Sequence, residues 1–438
     1  MSKRQMHLIG YVLAGPTWHH YGSWRHPESD GLDMLDPARY EEIARVLEHG
    51  KFDGLFFVDF LMLFDSYAGG YRTNLKEGGQ QCMMDPMQLL AAMARVTSRI
   101  GLASTMSTTF YHPFHIARAF ASLDHISKGR SGWNVVTSAM EREAKNFGMD
   151  ALMDKNKRYD MADEVLEACD KLWQSWEPGA LVGDRENNVF ADADKVHYAN
   201  YEGQYVRTSG PLTVPSSPQV RPVIMQAGSS PRGREFAGRW AEVIFTLQNS
   251  KEHMQAFYRD IKDRVVASGR KPNECAIVPA VDIVLGDTET IARERAAAIN
   301  EYASPTLGVA EISNALGVDM SKEPLDKPLE DLELTQGCRG ILDVMLQGTR
   351  KDGLTLGQAG KAWATSQMTP QLIGTPKQIA DHLQDFFEAE CCDGFMICPS
   401  ISPGTYVQFV KTVVPELQRR GVFRKEYQYA TFRENLQN

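Results

Sequence analysis

The sequence predicts an α/β chain of the (β/α)8 TIM-barrel class, with loop insertions. Eight short apolar runs alternate with helical patterns along the chain. Each run is apolar nearly throughout, as strands are when helices cover both faces of a parallel sheet. The runs cover residues 6–13, 52–58, 101–106, 131–136, 222–227, 243–247, 276–285 and 394–398. The number eight favours closure into a barrel, and an open doubly wound sheet is the alternative that periodicity leaves standing. At 438 residues the chain is long for one barrel. Such barrels nonetheless run from about 200 to more than 400 residues when their loops carry insertions, so one domain over 1–438 is expected.

Helical patterns lie near 37–49, 86–98, 113–127, 158–176, 231–240, 252–268, 376–389 and 404–420. Three stretches exceed what a barrel needs: 60–85, 177–221 and 286–375. The first holds Lys76-Glu77-Gly78-Gly79-Gln80-Gln81. The second is rich in Asp, Asn, Pro and Ser, and its polar-aromatic piece 197–206 predicts a hairpin. The third is helical in parts and broken by Pro305, Pro324 and Pro328. In a barrel, such loops build the rim of the site, and a flexible lid is expected within 286–375.

Lys and Arg total 47 against 56 Asp and Glu, a net charge of −9. That balance gives no attractive field for nucleic acid or an anionic membrane. Seven cysteines form no CxxC pair, and Cys391-Cys392 is vicinal and poorly placed to bridge. A reduced, cytoplasmic chain is expected. The start, MSKRQMHLIGYVLAGP, lacks the pattern of a secretory signal, and no run approaches the roughly 18 apolar residues of a membrane span.

The informative polar residues sit where strands end, the rim at which barrels gather ligand groups. Asp59 follows Phe56-Phe57-Val58, Thr105 closes the third run, and Asn134 lies in the fourth. Gly228-Ser229-Ser230-Pro231 reads as a strand-to-helix turn, with Pro231 suited to the first helical turn. Free N–H groups and the hydroxyls of Ser229 and Ser230 suit an anion such as phosphate, though a plain serine cap explains the same letters. The loop after the first run packs Trp18, His19, His20, Tyr21 and Trp24 together, a candidate wall against a planar ligand. No metal site is expected, because His19, His20, His112 and His115 have no carboxylate or cysteine at ligand spacing. Nucleophile elbow, Walker loop and dinucleotide fingerprint are all missing from the sequence.

Several segments in order resemble one family. They include Gly22-Ser23-Trp24-Arg25-His26, Gly132-Trp133-Asn134-Val135-Val136-Thr137-Ser138, Arg158-Tyr159, Gln226-Ala227-Gly228-Ser229-Ser230 and Gly374-Thr375-Pro376. The chain is similar to bacterial-luciferase-like flavin-dependent monooxygenases, in the nitrilotriacetate and dibenzothiophene-sulfone monooxygenase branch. The resemblance implies a barrel that binds reduced FMN (FMNH2) delivered by a separate NAD(P)H:flavin reductase. It implies O2 as co-substrate, a small organic substrate cleaved at a C–N or C–S bond, and a homodimer or homotetramer. By position, Asp59 and Thr105 would contact the flavin, with Tyr159 and Ser230 near its ribityl-phosphate end. The family usually shows His-Asp where this chain has Lys155-Asn156, and Lys155 is a candidate point charge for the phosphate. Trp18, His20, Trp24 and His112 are expected to shape the substrate pocket. Because the cofactor carries the chemistry, no catalytic side chain is assigned. A deazaflavin-dependent oxidoreductase and a non-catalytic flavin-binding protein are the competing readings.

Overall fold

The eight apolar runs become eight neighbouring parallel strands that close on themselves. The computed structural model describes residues 4–228, 230–246, 250–334, 353–367 and 369–437. In chain order the strands are β1 (His7–Leu13), β2 (Gly54–Val58), β3 (Gly101–Ser107), β4 (Ser131–Val136), β5 (Leu181–Asp184), β6 (Val189–Ala191), β7 (Tyr201–Glu202), β8 (Arg207–Thr208), β9 (Val223–Gln226), β10 (Val243–Thr246), β11 (Ala276–Leu285), β12 (Gln371–Gly374) and β13 (Gly394–Pro399). Parallel pairing runs β1-β2-β3-β4-β9-β10-β11-β13 and returns from β13 to β1. Closure removes the open-sheet alternative. Ten-residue β11 is buried throughout. It pairs with β10 at its start, with β13 through Ala280–Ile283, and with β12 through Asp282–Leu285. β12 is a ninth strand outside the ring, in a stretch expected to be insertion. Its four residues alternate between buried and half-buried and are too few to read as a strand from sequence.

Five of the intervening helices start where a capping side chain is followed by proline. Asp36 caps Pro37–His49, Asp85 caps Pro86–Val96, His112 caps Pro113–Ser127 and Ser230 caps Pro231–Trp240. Thr375 closes a capping box on Pro376–Glu388. Helix Lys155–Trp173 is capped by Asp154 and begins three residues before the periodic pattern does.

The expected hairpin at 197–206 is the two-residue pair β7–β8, and a second hairpin, β5–β6, precedes it. The described part of 286–375 carries helices Glu289–Glu301, Pro305–Leu316 and Leu356–Ser366. The last two cross where a methyl on Gly308 would stand 1.8 Å from the Gly360 carbonyl oxygen. This insertion is tied to the first one. Asn74 Nδ2 donates to Glu311 Oε1 (2.6 Å), Ser66 N to Asn314 Oδ1 (2.8 Å) and Ala68 N to Asp319 Oδ1 (3.0 Å).

The C-terminal segment seals the end of the barrel where the strands begin. Methyl groups built on Gly54, Gly101 and Gly132 would stand 2.8, 2.4 and 3.1 Å from the Phe432 ring. β2 and β3 therefore open with glycine, and β4 carries one at its second residue, to seat one phenyl group. Nearby, buried Asp53 accepts from Leu8 N (2.9 Å) and meets His7 and Arg424. Burial alone would raise its carboxyl, but Arg424 and then His7 outweigh it and hold the group below the usual carboxylate range. Among the described residues no helix is long and apolar enough to cross a membrane.

Candidate active site

Opposite that sealed base, a cavity of about 310 Å³ opens at the C-terminal ends of β2, β3, β4, β9 and β10. Phe56, Val58, Phe60, Val135, Val136, Phe236 and Phe245 give it apolar walls, and Phe56 and Phe245 meet with ring centres 4.8 Å apart. Its polar lining is Asp59, Thr105, Asn134, Thr137, Ser138, Glu143, Tyr159 and Gln226. A larger cavity, about 470 Å³, lies at the base among Arg4, His7, Lys262, Asp393 and Arg424. Its charges satisfy each other, with Asp393 paired to Lys262 at 2.7 Å and to Arg4 at 3.8 Å. That end of a barrel serves stability, and the ligand end is the other one.

Asp59 leaves β2 into an environment that disfavours charge. Burial, with repulsion from Asp85 and Glu143, pushes its carboxyl up to about 6 against a hydrogen bond from the Cys82 thiol. Glu143 is raised by burial too, although Leu61 N donates to its Oε1 at 3.2 Å. Thr105 donates its hydroxyl to Phe57 O (2.9 Å) and accepts from Asn134 Nδ2 (2.8 Å). The Asn134 Oδ1 atom is buried without a hydrogen-bond partner, and so is Gln226 Oε1. Both residues line the cavity. Buried polar atoms are almost always paired, so two open acceptors in one cavity mark a place for a ligand that donates.

Tyr159 projects from helix Lys155–Trp173, and its hydroxyl bonds to the Ser230 and Gln226 side chains. Ser230 Oγ accepts from Gly233 N (3.2 Å) and heads helix Pro231–Trp240. A methyl on Gly233 would lie 2.8 Å from the Tyr159 hydroxyl, so the approach depends on glycine. Beside Tyr159, Arg158 gives one nitrogen to Met153 O and keeps Nε buried and unpartnered.

The fold thus brings Asp59, Thr105 and Tyr159 to one cavity, with Ser230 bonded to Tyr159. Ser229 lies outside the described residues. Lys155 is exposed, one turn before Tyr159, and does not line the cavity. Trp18, His20, Trp24 and His112 are absent from its lining. Trp18 is buried against Tyr406 and Arg39. His20 is buried, which pushes its imidazole down to about 4. Trp24 Nε1 donates to Glu77 O (2.9 Å), pinning the loop to the first insertion, and His112 caps its helix while bonding Arg207 O (3.1 Å). The loop's aromatic side chains turn inward, which hydrophobicity favours over exposure at a rim.

Two features of the site had no linear signal. One is the open amide oxygens of Asn134 and Gln226. The other is a second polar cluster, since His19, Asp282 and Cys398, all buried, bring one ligand-type atom each to within 4.8 Å of one another. Sequence spacing had offered His19 no such partners.

Residues 17–391 match the family of luciferase-like monooxygenases. The chain belongs to that family. This luciferase-like monooxygenase is 45% identical over 440 residues to dibenzothiophene-sulfone monooxygenase of Rhodococcus erythropolis (strain XP), covering 99% of this chain and 97% of that one. It is 39% identical to nitrilotriacetate monooxygenase component A of Aminobacter aminovorans, covering 95% and 93%. The crystal structure of a riboflavin lyase with modified FMN superposes with a TM-score of 0.88 at 33% identity, covering 99% and 96%. The luciferase-like monooxygenase described here is accordingly a flavin-dependent enzyme.

Proposed function

We propose that the chain is the oxygenase component of a two-component system. It takes FMNH2 from a separate NAD(P)H:flavin reductase and uses O2 to oxidise a small organic substrate. The observation that carries this reading is the cavity with aromatic walls and two open acceptors, Asn134 Oδ1 and Gln226 Oε1. A reduced isoalloxazine is a broad, gently folded ring system, apolar on its faces, with N–H donors at N3 and N5, so it fits both properties. Thr105 orients Asn134 and Asp59 borders the ring. Tyr159, Ser230 and Arg158, with the N-terminus of helix Pro231–Trp240, suit the ribityl phosphate, since a helix N-terminus presents free N–H groups to an anion. Lys155 joins them as a point charge, and Ser229, which precedes Ser230 in the chain, is assigned to the same phosphate from its place in the sequence.

When bound, reduced flavin supplies the electrons that activate O2. The chain's own residues bind and orient the ring, and the walls from Phe56, Phe236 and Phe245 keep water away. The Asp59 carboxyl, pushed up to about 6, holds a proton at Oδ under mildly acidic conditions.

No Lys or Arg is among the described lining residues, while two carboxyl groups are. That lining disfavours polyanionic substrates and favours neutral ones. With the 45% identity to a dibenzothiophene-sulfone enzyme, it favours C–S over C–N cleavage. Assembly as a homodimer or homotetramer belongs to the same reading, and light scattering measures it.

The deciding experiment is an aerobic assay with a flavin reductase, NADH and FMN. Aryl sulfones, thioethers and amines are offered, and products are read by mass spectrometry. Oxygen insertion or cleavage of an organosulfur compound is expected. Hydrogen peroxide as the sole product across the panel, or turnover with a reduced deazaflavin instead of FMNH2, would sink the proposal.

A further inference from the structure

We infer that His19, Asp282 and Cys398 bind a zinc-like divalent cation in the barrel wall, as a structural site separate from the flavin cavity. The three residues come from the loop after β1, from β11 and from β13. Asp282 and Cys398 are register partners on adjacent parallel strands, so their side chains leave the sheet on the same face. His19 reaches them from the loop after β1, with its Nδ1 3.1 Å from Asp282 Oδ2. All three are buried, and their donor atoms lie within 4.8 Å of one another.

Two independent features point to a ligand. The first is the donor set. Imidazole, carboxylate and thiolate are the three groups that zinc takes in proteins, and tetrahedral bonds of about 2.0–2.2 Å to nitrogen and oxygen hold those two atoms roughly 3.4 Å apart. The observed 3.1 Å separation is close to that edge. The second is Asp282 Oδ1, fully buried and without a hydrogen-bond partner. Such an atom costs the fold its desolvation energy unless something pairs with it. A dication with one thiolate and one carboxylate is electrically neutral, which removes most of the cost of burying charge there. Zinc displaces the thiol proton, and any carboxyl proton, to solvent, so its uptake releases acid. None of the three lines the flavin cavity, which keeps the cation apart from the flavin chemistry; they fill three of zinc's four tetrahedral positions and leave the fourth to water. Its effect is to fasten the N-terminal loop to the two strands that complete the ring.

The test uses the full-length protein. After equilibration with Zn2+ and gel filtration, elemental analysis is expected to find one zinc per chain. Co2+ in its place is expected to give the strong near-ultraviolet absorption of a cobalt–thiolate bond. Cys398→Ala and Asp282→Asn should each weaken zinc binding at least tenfold, whereas Cys275→Ala, at a buried cysteine outside the cluster, should leave it intact. Circular dichroism checks that each variant folds, and if a strand variant does not, the loop variant His19→Gln carries the comparison. A wild-type protein without the cobalt–thiolate band, or stoichiometric zinc that survives all of these substitutions, overturns the inference.

Discussion

Asn134 divides its amide between two tasks, holding Thr105 through nitrogen and leaving its oxygen to the cavity. Asn134→Leu keeps the volume and removes the acceptor. FMNH2 affinity is expected to fall by about 1.4–2.8 kcal/mol, roughly tenfold to a hundredfold, in an anaerobic fluorescence titration. Asp59 gives a pH signature. Its carboxyl is raised, so the stability it contributes is complete below its ordinary value near 3.8 and is lost as pH rises through about 6. Flavin affinity in the wild type should therefore change around pH 6, and Asp59→Asn should flatten that change. Lys155→Ala should weaken FMN binding a few-fold and more at low salt; unchanged affinity would remove Lys155 from the site. Asp59, Thr105 and Ser230 stood out because strand ends and helix starts leave marks in sequence, whereas Tyr159 was singled out only by the family resemblance. Asn134 was visible as a strand residue, but the openness of its oxygen is a fact about neighbours. His19 and Asp282 stand 263 residues apart, and no spacing rule reaches that far.

Helix starts test the phosphate cradle at the scale of one element. Ser230 and Thr375 both cap a helix that opens with proline. Losing either cap should cost about 1 kcal/mol of stability. Ser230→Ala should also lower FMN affinity, because it removes the partner of Tyr159, while Thr375→Ala should leave affinity unchanged. Thermal melts and the flavin titration read the two effects separately. Helices were the best-read elements, since cap, proline and a 3.6-residue period all agree in segments such as Pro37–His49 and Pro113–Ser127. Strand β12 escaped notice because four residues on the flank of a sheet carry too little pattern. Hairpin β5–β6 did so because its side chains are largely exposed, with Phe190 at 75%.

Across the whole molecule, the loops at the ligand end are bolted to one another, and Glu311 is one of the bolts. It is buried, accepts from Asn74, and burial pushes its carboxyl up to about 8. The native state prefers it protonated, so its stabilising effect is full below about 4.5 and is lost as pH rises toward 8, by at most about 1.4 kcal/mol per pH unit. Glu311→Gln stays neutral, so its melting temperature should exceed that of the wild type at pH 8 and approach it at pH 4.5, as scanning fluorimetry would show. Barrel closure was legible only as a count of eight; the ties between insertions, made by pairs such as Ser66 and Asn314, were not legible at all. The seat of Phe432 has a further consequence, which concerns the order of synthesis. The glycines that receive it lie between 300 and 378 residues before the ring in the chain. All eight ring strands precede Phe432 in the chain, so they can pair while the floor of the barrel is still open to water. A chain whose strands have paired before Phe432 is seated is then the form of this protein most in need of a chaperone.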